Sequence, residues 1–407
     1  MKVIIAPDSF KETLSALDVA AALAAGVLEA CPDAQVDLCP MADGGEGTVS
    51  AMVAATGGKT LTADVYDPLG APIRAHFGLL GTPDVAVLPG ALGLSGSVQR
   101  FEGEGGDVVG GEHLTAVIEM AAASGLGLVP PDRRDPLRTT TFGTGQLILT
   151  ALDAGATGII MGIGGSATVD GGCGCAQALG VTFVGRDGEA CVCGLAGGGL
   201  ADITDFDLGG RDPRIEETSI RVACDVTNPL TGPNGAAAVY GPQKGATPES
   251  VPVLETGLSR LAELIRRKLG RDLADMPGAG AAGGLGAGLV AFAGATLEKG
   301  IDIIAEAVRL PRRLHGADLC LTGEGRLDGQ SASGKTACGV AGAARIAGVP
   351  VVCVPGQVAT DAPLESFDAV RPLVADEVTE RLALQQPKTF LKRRALEATR
   401  EFLKAKG

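Results

Sequence analysis

Residues 2–48 read KVIIAPDSFKETLSALDVAAALAAGVLEACPDAQVDLCPMADGGEGT. The apolar run at 2–6 predicts a short buried strand, and the Ala- and Leu-rich segment 15–30 predicts an amphipathic helix. A second strand is predicted near 35–39 and a second helix over 48–56. This alternation of strand and helix is how a doubly wound parallel sheet begins, so the chain is predicted to have an α/β fold.

The same alternation returns in the last third of the chain. Helices are predicted over 297–309, 335–347 and 391–405, with buried strands at 317–322 and 349–354. Because both ends of the chain share this pattern, residues 1–58 and 285–407 are predicted to form one parallel sheet with its helices.

The middle of the chain follows a different pattern. Runs at 60–66 and 72–80 alternate apolar and polar residues and are separated by a Pro-Leu-Gly turn, which indicates a hairpin. Residues 113–124 are predicted to be helical, and residues 92–112, rich in Gly, Ser and Glu, are predicted to be an exposed excursion. Residues 59–284 are therefore predicted to be a second α/β domain inserted into the first, with ligands in the cleft between the two.

The charge balance argues against two kinds of partner. The 407 residues carry 34 Lys and Arg against 48 Asp and Glu, and the net charge of −14 repels nucleic-acid phosphates and anionic membranes. No apolar run approaches the roughly 20 residues that span a bilayer, and the N-terminal segment lacks the apolar region of a signal peptide. We therefore expect a cytoplasmic protein with no nucleic-acid or membrane partner, whose ten cysteines are reduced thiols.

Polar clusters follow the first two predicted strands. Asp8-Ser9-Phe10-Lys11 offers a carboxylate, a hydroxyl and an ammonium group to a small polar ligand, although a helix cap with solvated charges would have the same sequence. Asp43-Gly44-Gly45-Glu46-Gly47-Thr48 sets two carboxylates among glycines at a helix start. These carboxylates are suited to a divalent cation, and a flexible turn with charges near the helix N-terminus is the alternative.

Two further clusters lie in the middle segment. Residues 164–172, GGSATVDGG, follow a predicted strand and would offer backbone N–H groups to an anion, with Asp170 able to accept a hydroxyl proton. Asp225 ends another predicted strand, where functional carboxylates occur in α/β folds. The alternatives are a purely structural glycine turn for the first cluster and an Asx turn at Asn228-Pro229 for the second.

The fifth cluster spans residues 322–336 and includes Glu324, Arg326 and Lys335. Residues 329–336, GQSASGKT, match the P-loop pattern G-x-x-x-x-G-K-[ST]. A P-loop needs a strand directly before its first glycine, whereas the polar residues 324–328 intervene here. We therefore predict that the match is accidental, although Lys335 at a helix start can still contact phosphate.

Taken together, these strings resemble the bacterial glycerate kinase family, type I, along nearly the whole chain. The matching stretches are 6–11 (APDSFK), 43–48 (DGGEGT), 118–126 (IEMAAASGL), 143–145 (GTG), 164–168 (GGSAT), 225–230 (DVTNPL) and 322–328 (TGEGRLD). The resemblance implies a kinase with two α/β domains, one of them flavodoxin-like, that phosphorylates D-glycerate with ATP and Mg²⁺. It favours the 2-hydroxyl as the acceptor, and phosphorylation of the 3-hydroxyl is the alternative.

The chain departs from the family pattern at three places. The segment 81–112 is longer than the usual connection, which suggests a surface insertion. Asp135 and Phe142 stand where Asn and Tyr are expected. Thr336 stands where the family more often has a residue without a hydroxyl, which again argues against a true P-loop.

The resemblance suggests roles that meet the needs of phosphoryl transfer: charge neutralisation, a metal on the phosphates and a carboxylate for the acceptor proton. Lys11, also a catalytic candidate, and Arg326 are expected to pair with the glycerate carboxylate or the phosphate. The other substrate-binding candidates are Asp8, Ser9 and Asn228; the nucleotide-binding candidates are Gly164, Gly165, Ser166, Thr144, Gly145 and Lys335; the metal candidates are Asp43, Glu46 and Glu324. Asp170 and Asp225 are alternatives for the base.

Two other functions fit the same sequence. A P-loop NTPase would depend on Lys335 for nucleotide binding and would be indifferent to glycerate. A non-catalytic sugar-acid sensor would bind ligand without turnover. The sequence also leaves open whether the protein is a monomer or a homodimer.

Overall fold

The computed structural model describes residues 1–11, 13–81, 114–333, 335–375 and 378–406. The predicted excursion at 92–112 lies outside the described residues. The strands are β1 (Lys2–Ile5), β2 (Gln35–Leu38), β3 (Lys59–Tyr66), β4 (Pro72–Leu79), β5 (Thr115–Glu119), β6 (Gly158–Gly162), β7 (Thr182–Val184), β8 (Asp205–Asp207), β9 (Ser219–Ala223), β10 (Thr296–Glu298), β11 (Leu319–Thr322), β12 (Arg326–Leu327), β13 (Val351–Cys353), β14 (Gln357–Val358) and β15 (Ala369–Val370).

Helices connect most of these strands. They are α1 (Ala16–Ala30), α2 (Thr48–Thr56), α3 (Ala121–Ser124), α4 (Phe142–Asp153), α5 (Cys173–Ala178), α6 (Arg214–Glu217), α7 (Ala236–Tyr240), α8 (Ser250–Leu269), α9 (Leu285–Ala293), α10 (Gly300–Ala307), α11 (Leu310–Leu314), α12 (Thr336–Ile346), α13 (Glu380–Gln385) and α14 (Pro387–Lys406). None of these described helices combines the length and apolarity that crossing a bilayer requires.

The first sheet is wholly parallel and has the strand order β2-β1-β11-β13-β15. Its central strand β1 alternates between two apolar cores, because successive side chains of a strand point to opposite faces. Ile4 packs with α2, α10 and α12, whereas Val3 and Ile5 pack beneath α1 and α14. The predicted α/β fold with a parallel sheet from both ends of the chain is confirmed, and its strand order is flavodoxin-like.

The second sheet is mixed and has the strand order β10-β9-β6-β5-β4-β3. The predicted hairpin is present, since β3 and β4 pair antiparallel over their full length. β4 and β5 also pair antiparallel, and the remaining strands pair parallel. The predicted second α/β unit from the middle of the chain is therefore a mixed sheet with a hairpin at one edge.

The prediction of a helix over residues 113–124 is wrong for most of that range. Residues 115–119 form strand β5 between β4 and β6, and the helical part is α3, only four residues long. Ala116, Val117 and Ile118 are all fully buried. A short apolar run of this kind suits a buried strand and a buried helix equally, so periodicity alone cannot distinguish them.

Residues 285–298 lie with the second sheet, although the sequence analysis grouped them with the first. Helix α9 is buried along its whole length and packs against α5, as expected for a helix that is apolar on every side. Strand β10 then pairs with β9. The division of the chain into two separate domains stays a prediction, and the sheet pairing moves its expected boundary to about residue 298.

The two sheets pack against each other through a shared core. Ile160 and Ala223 of the second sheet belong to the same apolar cluster as Met41 and Ile303 beside the first sheet. This packing brings loops from the two sheets together.

Candidate functional site

A cavity of about 390 Å³ opens at the carboxyl ends of β1, β11 and β13. Loops that follow parallel strands converge at this edge, where open α/β sheets bind their ligands. The structure therefore brings residues of three predicted clusters together: 8–11, 322–336 and, through Asp43, 43–48. The polar residues that line the cavity are Asp8, Ser9, Lys11, Thr13, Asp43, Glu324, Arg326, Asp328, Lys335, Gln357 and Glu380.

Asp8 is held from two sides at the base of this cavity. The backbone N–H of Ser9 donates to its Oδ1 atom at 2.6 Å, and the Thr336 hydroxyl donates to its Oδ2 atom at 2.6 Å. Burial, together with the nearby Asp43 charge, raises the pKa of Asp8 to about 6. Thr336, which the sequence analysis noted only as a departure from the family pattern, thus orients a candidate ligand-binding carboxylate.

Glu324 is a second buried carboxylate in the cavity wall. Burial raises its pKa to about 7, against the opposing effects of the Ser331 hydrogen bond and the Lys335 charge. Its Oε1 atom is buried and has no hydrogen-bond partner among the described residues. A buried acceptor without a donor is costly, so this oxygen is suited to a proton or a cation from a ligand.

Three cations also line the cavity, and each pairs with a carboxylate other than Asp8 and Glu324. The Lys11 Nζ atom lies 3.7 Å from Asp43, and its side chain is 76% exposed. Lys335 and Arg326 lie 3.4 and 4.0 Å from Asp328, a residue that the sequence analysis did not single out. Such solvated pairs are weak, so a phosphate or carboxylate entering the cavity can compete for these cations.

The carboxylates fit a magnesium ion that arrives with phosphates. Mg²⁺ prefers oxygen ligands and is commonly held by one or two carboxylates together with substrate phosphates and water. Asp43 and Glu324 both line the cavity, and Glu324 has the unpartnered oxygen. Among the described residues, no three His, Cys, Asp or Glu side chains are grouped closely enough to hold a metal alone. The third metal candidate, Glu46, is exposed and is not among the residues that line this cavity.

The P-loop match does not have P-loop geometry. Strand β11 of the main sheet ends at Thr322, residues 326–327 pair outside that sheet, and residues 329–333 form a 3₁₀ turn. Lys335 precedes the first residue of α12 and lines the cavity. This lysine is therefore positioned to contact an anion without a Walker loop around it.

A second group of predicted residues lies at the carboxyl end of β6. Gly164 and Gly165 are exposed, and Gly165 has a φ of +73°, which favours glycine. Beneath them the buried Lys244 donates from Nζ to the Ser166 hydroxyl at 2.5 Å and to the Thr168 carbonyl at 2.7 Å. Burial lowers the pKa of Lys244 to about 7. Sequence reasoning missed Lys244, because a single lysine between glycines does not reveal its burial.

Asp170 has a different environment from that of an open catalytic base. It is fully buried and accepts hydrogen bonds from the Thr141 N–H and hydroxyl, each at 2.7 Å, and from the N–H groups of Gly172 and Gly174. Burial raises its pKa, although these hydrogen bonds oppose that effect. Its neighbours in the structure are the starts of α4 and α5, which it ties together.

Two predicted nucleotide-binding residues are also buried in this region. The Thr144 hydroxyl shares a 2.7 Å hydrogen bond with Ser124 and is fully buried. Gly145 packs so closely on α5 that a Cβ atom would collide with the Cys175 carbonyl. Neither residue lines the cavity, so the structure does not bring them together with Lys335.

Asp225, by contrast, is exposed at the point where the two sheets meet. It follows β9, and its Oδ1 atom accepts a 2.9 Å hydrogen bond from the Gly300 N–H. A Cβ atom on Gly300 would collide with the Asp43 carbonyl, and one on Gly44 would lie 2.5 Å from Ala223, the last residue of β9. Partial burial of its carboxyl group, together with the nearby Asp43 charge, raises the pKa of Asp225. The Asp43 loop therefore connects the cavity to Asp225.

The side chain of Asn228 is engaged within its own loop. Its Nδ2 atom donates to the Asn234 carbonyl at 2.9 Å, and its Oδ1 atom accepts from the Tyr240 hydroxyl at 2.6 Å. The Asx-turn alternative and the substrate-binding prediction for Asn228 both stay open, but its side-chain amide has protein partners on both ends.

The site has the groups that an α/β phosphotransferase needs. Cations and carboxylates line a cavity at the carboxyl edge of one sheet, and a glycine-rich loop and an exposed aspartate end two strands of the other. Comparison with known proteins identifies the class further. The sequence profile of the Glycerate kinase family matches residues 3–403.

Individual relatives agree with this family match. The chain is 48% identical over 361 residues to "Glycerate 2-kinase" of Escherichia coli K12, covering 89% of this chain and 86% of that protein. It is 45% identical over 398 residues to "Glycerate kinase" of Bacillus subtilis 168, covering 97% and 96%. A crystal structure provisionally assigned as glycerate kinase 2 of Salmonella typhimurium LT2 superposes with a TM-score of 0.83 at 45% identity, covering 100% of this chain and 98% of that one. The chain belongs to the glycerate kinase family and is a kinase.

Proposed function

We propose that this kinase transfers the γ-phosphoryl group of ATP to the 2-hydroxyl of D-glycerate and yields 2-phospho-D-glycerate and ADP. The observation that carries the proposal is the contact of Gly300 with both aspartates. Its N–H donates to Asp225 and its backbone packs on the Asp43 carbonyl, and the Asp43 side chain pairs with Lys11 of the cavity. In this proposal Asp225 supplies the carboxylate for the acceptor hydroxyl, and the cations of the cavity neutralise the phosphate charge. The name of the Escherichia coli relative supports the choice of the 2-hydroxyl.

The proposed transfer forms one bond to the γ-phosphorus and breaks another. The acceptor oxygen forms a bond to the γ-phosphorus, the bond from that phosphorus to the β,γ-bridging oxygen breaks, and ADP leaves with that electron pair. The acceptor proton passes to a carboxylate. Catalysis of this kind depends chiefly on positioning and charge neutralisation.

Asp225 is the better of the two predicted bases. Its carboxylate is exposed and uses one oxygen to accept from Gly300, which leaves the other oxygen for a substrate hydroxyl. Asp170 is fully buried with both oxygens engaged by the protein. A general base must reach the proton that it removes, and the geometry supports Asp225 in that role.

The cations of the cavity and the glycine-rich loop have separate roles in binding the phosphates. We assign Arg326, Lys335 and Lys11 to the phosphates of the nucleotide, with Asp8 and Ser9 orienting the same ligand. Gly164 and Gly165 offer exposed backbone N–H groups at the reacting end, and Lys244 supports their loop through Ser166. Magnesium, held by Asp43 and Glu324 together with the phosphates, would supply charge neutralisation on the γ-phosphoryl group.

The test is a coupled assay of the purified protein with ATP, Mg²⁺ and D-glycerate, followed by ³¹P NMR of the product. We expect glycerate-dependent ADP formation and a 2-phosphoglycerate signal. A 3-phosphoglycerate signal would keep the kinase and change the acceptor. ATP hydrolysis that ignores glycerate would favour a P-loop NTPase, and glycerate binding without ADP formation would favour a sensor.

A further inference from the structure

One end of the cavity is lined by apolar side chains. The apolar residues of its wall are Phe10, Leu373, Val374, Ala383, Leu384 and Pro387, and three of them, Phe10, Leu373 and Ala383, belong to one apolar cluster. Phe10, Leu373 and Ala383 are almost fully buried and form a fixed wall, whereas Leu384 of α13 is 56% exposed. An exposed leucine on the wall of a cavity offers apolar area to a ligand.

The apolar and charged ends follow the order of the strands. The apolar residues 373 and 374 come after β15, the edge strand, and α13 follows them. Arg326 and Lys335 come after β11, and Lys11 comes after β1, which lies beyond β11 in the sheet. Leu373, Val374 and α13, which also carries the lining residue Glu380, therefore lie toward the β15 edge, whereas the three cations lie toward Asp43 and the second sheet.

We propose that the apolar end binds the purine base of the nucleotide, with its phosphates extending along the sheet edge toward Lys335, Arg326 and Lys11. This inference rests on the proposed function, in which a nucleoside triphosphate is the phosphoryl donor. It adds a subsite for the base and a direction for the bound nucleotide.

The chemistry of the two substrates supports this assignment. Glycerate is small and polar on every side, so an apolar wall of leucine, valine and phenylalanine adds little to its binding. A purine ring is flat and largely apolar on its faces, and its burial between such side chains is favourable. Gln357 also lines the cavity, and its side-chain amide can both donate to and accept from a base edge.

The cavity is large enough for a nucleotide. Its volume of about 390 Å³ falls within the range of pockets that enclose drug-sized ligands, roughly 300 to 1,000 Å³. A pocket for glycerate alone would need far less space. The reacting end of the nucleotide would then lie where the two sheets meet, near Asp225.

Leu384→Asp tests the subsite by introducing a charge into its exposed wall. We expect the KM for ATP and the Kd for ADP to rise about tenfold or more, because a carboxylate would have to be desolvated against the base. The KM for glycerate should change less than about twofold. Calorimetric binding of tripolyphosphate, which has the phosphates without the base, should be unchanged in the variant.

The matched control is Leu364→Asp. Leu364 is a leucine of similar exposure, 49%, and it is not among the residues that line the cavity. We expect wild-type ATP and glycerate parameters for this variant. Leu384→Ala, which adds no charge, should give a smaller rise in the KM for ATP and guards against a folding defect in the aspartate variant.

The outcomes separate this inference from the proposed function. If the wild type phosphorylates glycerate with ATP but Leu384→Asp leaves the KM for ATP and the Kd for ADP unchanged, the subsite assignment is wrong and the function stands. Equal weakening of ADP and tripolyphosphate would also overturn the subsite. If ADP binds and weakens selectively in Leu384→Asp while glycerate gives no turnover, the subsite stands and the function fails.

Discussion

Asp170 and Asp225 are both aspartates of the second sheet's loops, yet their surroundings give them different chemistry. Asp170 is buried under four hydrogen bonds from backbone and hydroxyl donors. Asp225 is exposed beside Gly300 and Asp43. The two residues cannot be ranked from sequence, because each follows a strand and a glycine-rich or turn-forming context. Burial and the number of donors distinguish them only in the folded protein.

Substitution by asparagine should therefore reduce mainly the activity at Asp225 and mainly the stability at Asp170. Asp225→Asn should lower kcat about 10²-fold or more and leave the melting temperature nearly unchanged, because a positioned base contributes about 10² to 10⁴. Asp170→Asn should lower the free energy of unfolding by about 2–4 kcal/mol, since its amide group faces donors that need an acceptor. Steady-state kinetics and urea titrations measure the two effects.

The control for the first variant is Asp302→Asn, an exposed carboxylate whose charge also acts on Asp225. It removes nearby negative charge without removing the proposed base, so kcat should stay within about threefold of wild type. Comparable losses of kcat in both variants would show that charge alone matters and would remove Asp225 from the role of base.

Glu324 gives the free energy of unfolding a distinctive pH dependence. Its pKa is about 7 in the folded protein and 4.5 as the ordinary value, so the folded state binds more protons than the unfolded state between these values. Stability contributed by this group is therefore present at low pH and is lost as the pH rises from about 4.5 to 7. Relative to wild type, Glu324→Gln should gain up to about 3 kcal/mol between pH 4.5 and pH 7.5.

Urea titrations of both proteins at several pH values measure this difference. Burial also raises the pKa of Asp8 to about 6, so this residue makes the free energy of unfolding fall with rising pH as well. Asp8 is present in both proteins. The difference between the two proteins therefore measures Glu324 together with its electrostatic coupling to Asp8. A constant difference across this pH range would contradict the assigned protonation behaviour.

Contacts between glycine backbones fix how closely the two sheets approach. Gly162, the last residue of β6, packs so that a Cβ atom would collide with the Gly44 carbonyl. Gly44 follows Asp43 and itself packs against Ala223 at the end of β9. These close backbone contacts position Asp43 relative to Asp225.

Gly162→Ala should therefore damage both stability and catalysis. We expect a loss of about 1–3 kcal/mol in the free energy of unfolding, which is typical of overpacking, together with a reduced kcat as Asp43 shifts. Gly342→Ala is the control, since nothing lies within 4 Å of its Cβ position in helix α12. That variant should gain about 0.5–1 kcal/mol from helix propensity and keep normal kinetics. A Gly162→Ala enzyme with wild-type kcat would argue against this positioning role.

The sequence predicts most of the strands and helices, but not which of them lie next to each other in the fold. The strands and helices of residues 2–56 and the pattern after residue 317 were recognisable because apolar periodicity and helix caps are local signals. Strand β5 was missed because its short apolar run carries no period, and β10 because three residues give too little pattern. The clusters at 8–11 and 322–336 were found through strand order, whereas Lys244 and the Thr336 contact to Asp8 depend on tertiary burial.

Helices from opposite ends of the sequence pack against each other. Helices α1 and α14 lie side by side on the first sheet, and Gly26 is so close to α14 that a Cβ atom would collide with the Lys392 carbonyl. Pro387, the first residue of α14, lines the cavity. The packing of the two terminal segments therefore bears on the proposed nucleotide site.

Gly26→Ala tests this connection. The added methyl group should push α14 outward, lower the free energy of unfolding by about 1–3 kcal/mol despite a better helix propensity, and raise the KM for ATP more than that for glycerate. Thermal melts and initial-rate kinetics measure both effects. A change in stability with an unchanged KM for ATP would show that α14 moves independently of the cavity.

Strand β1 pairs with β11, and this pairing has a consequence during synthesis on the ribosome. β1 emerges before β11, and residues 319–322 follow it roughly 15–60 s later at 5–20 residues per second. The strands of the second sheet lie between them in the chain and can associate earlier. β2 and α2 follow β1 closely and can cover part of it, but the surface of α1 that packs on α14 stays exposed until residues 387–406 are made. This segment of the nascent chain is therefore a natural client for chaperones.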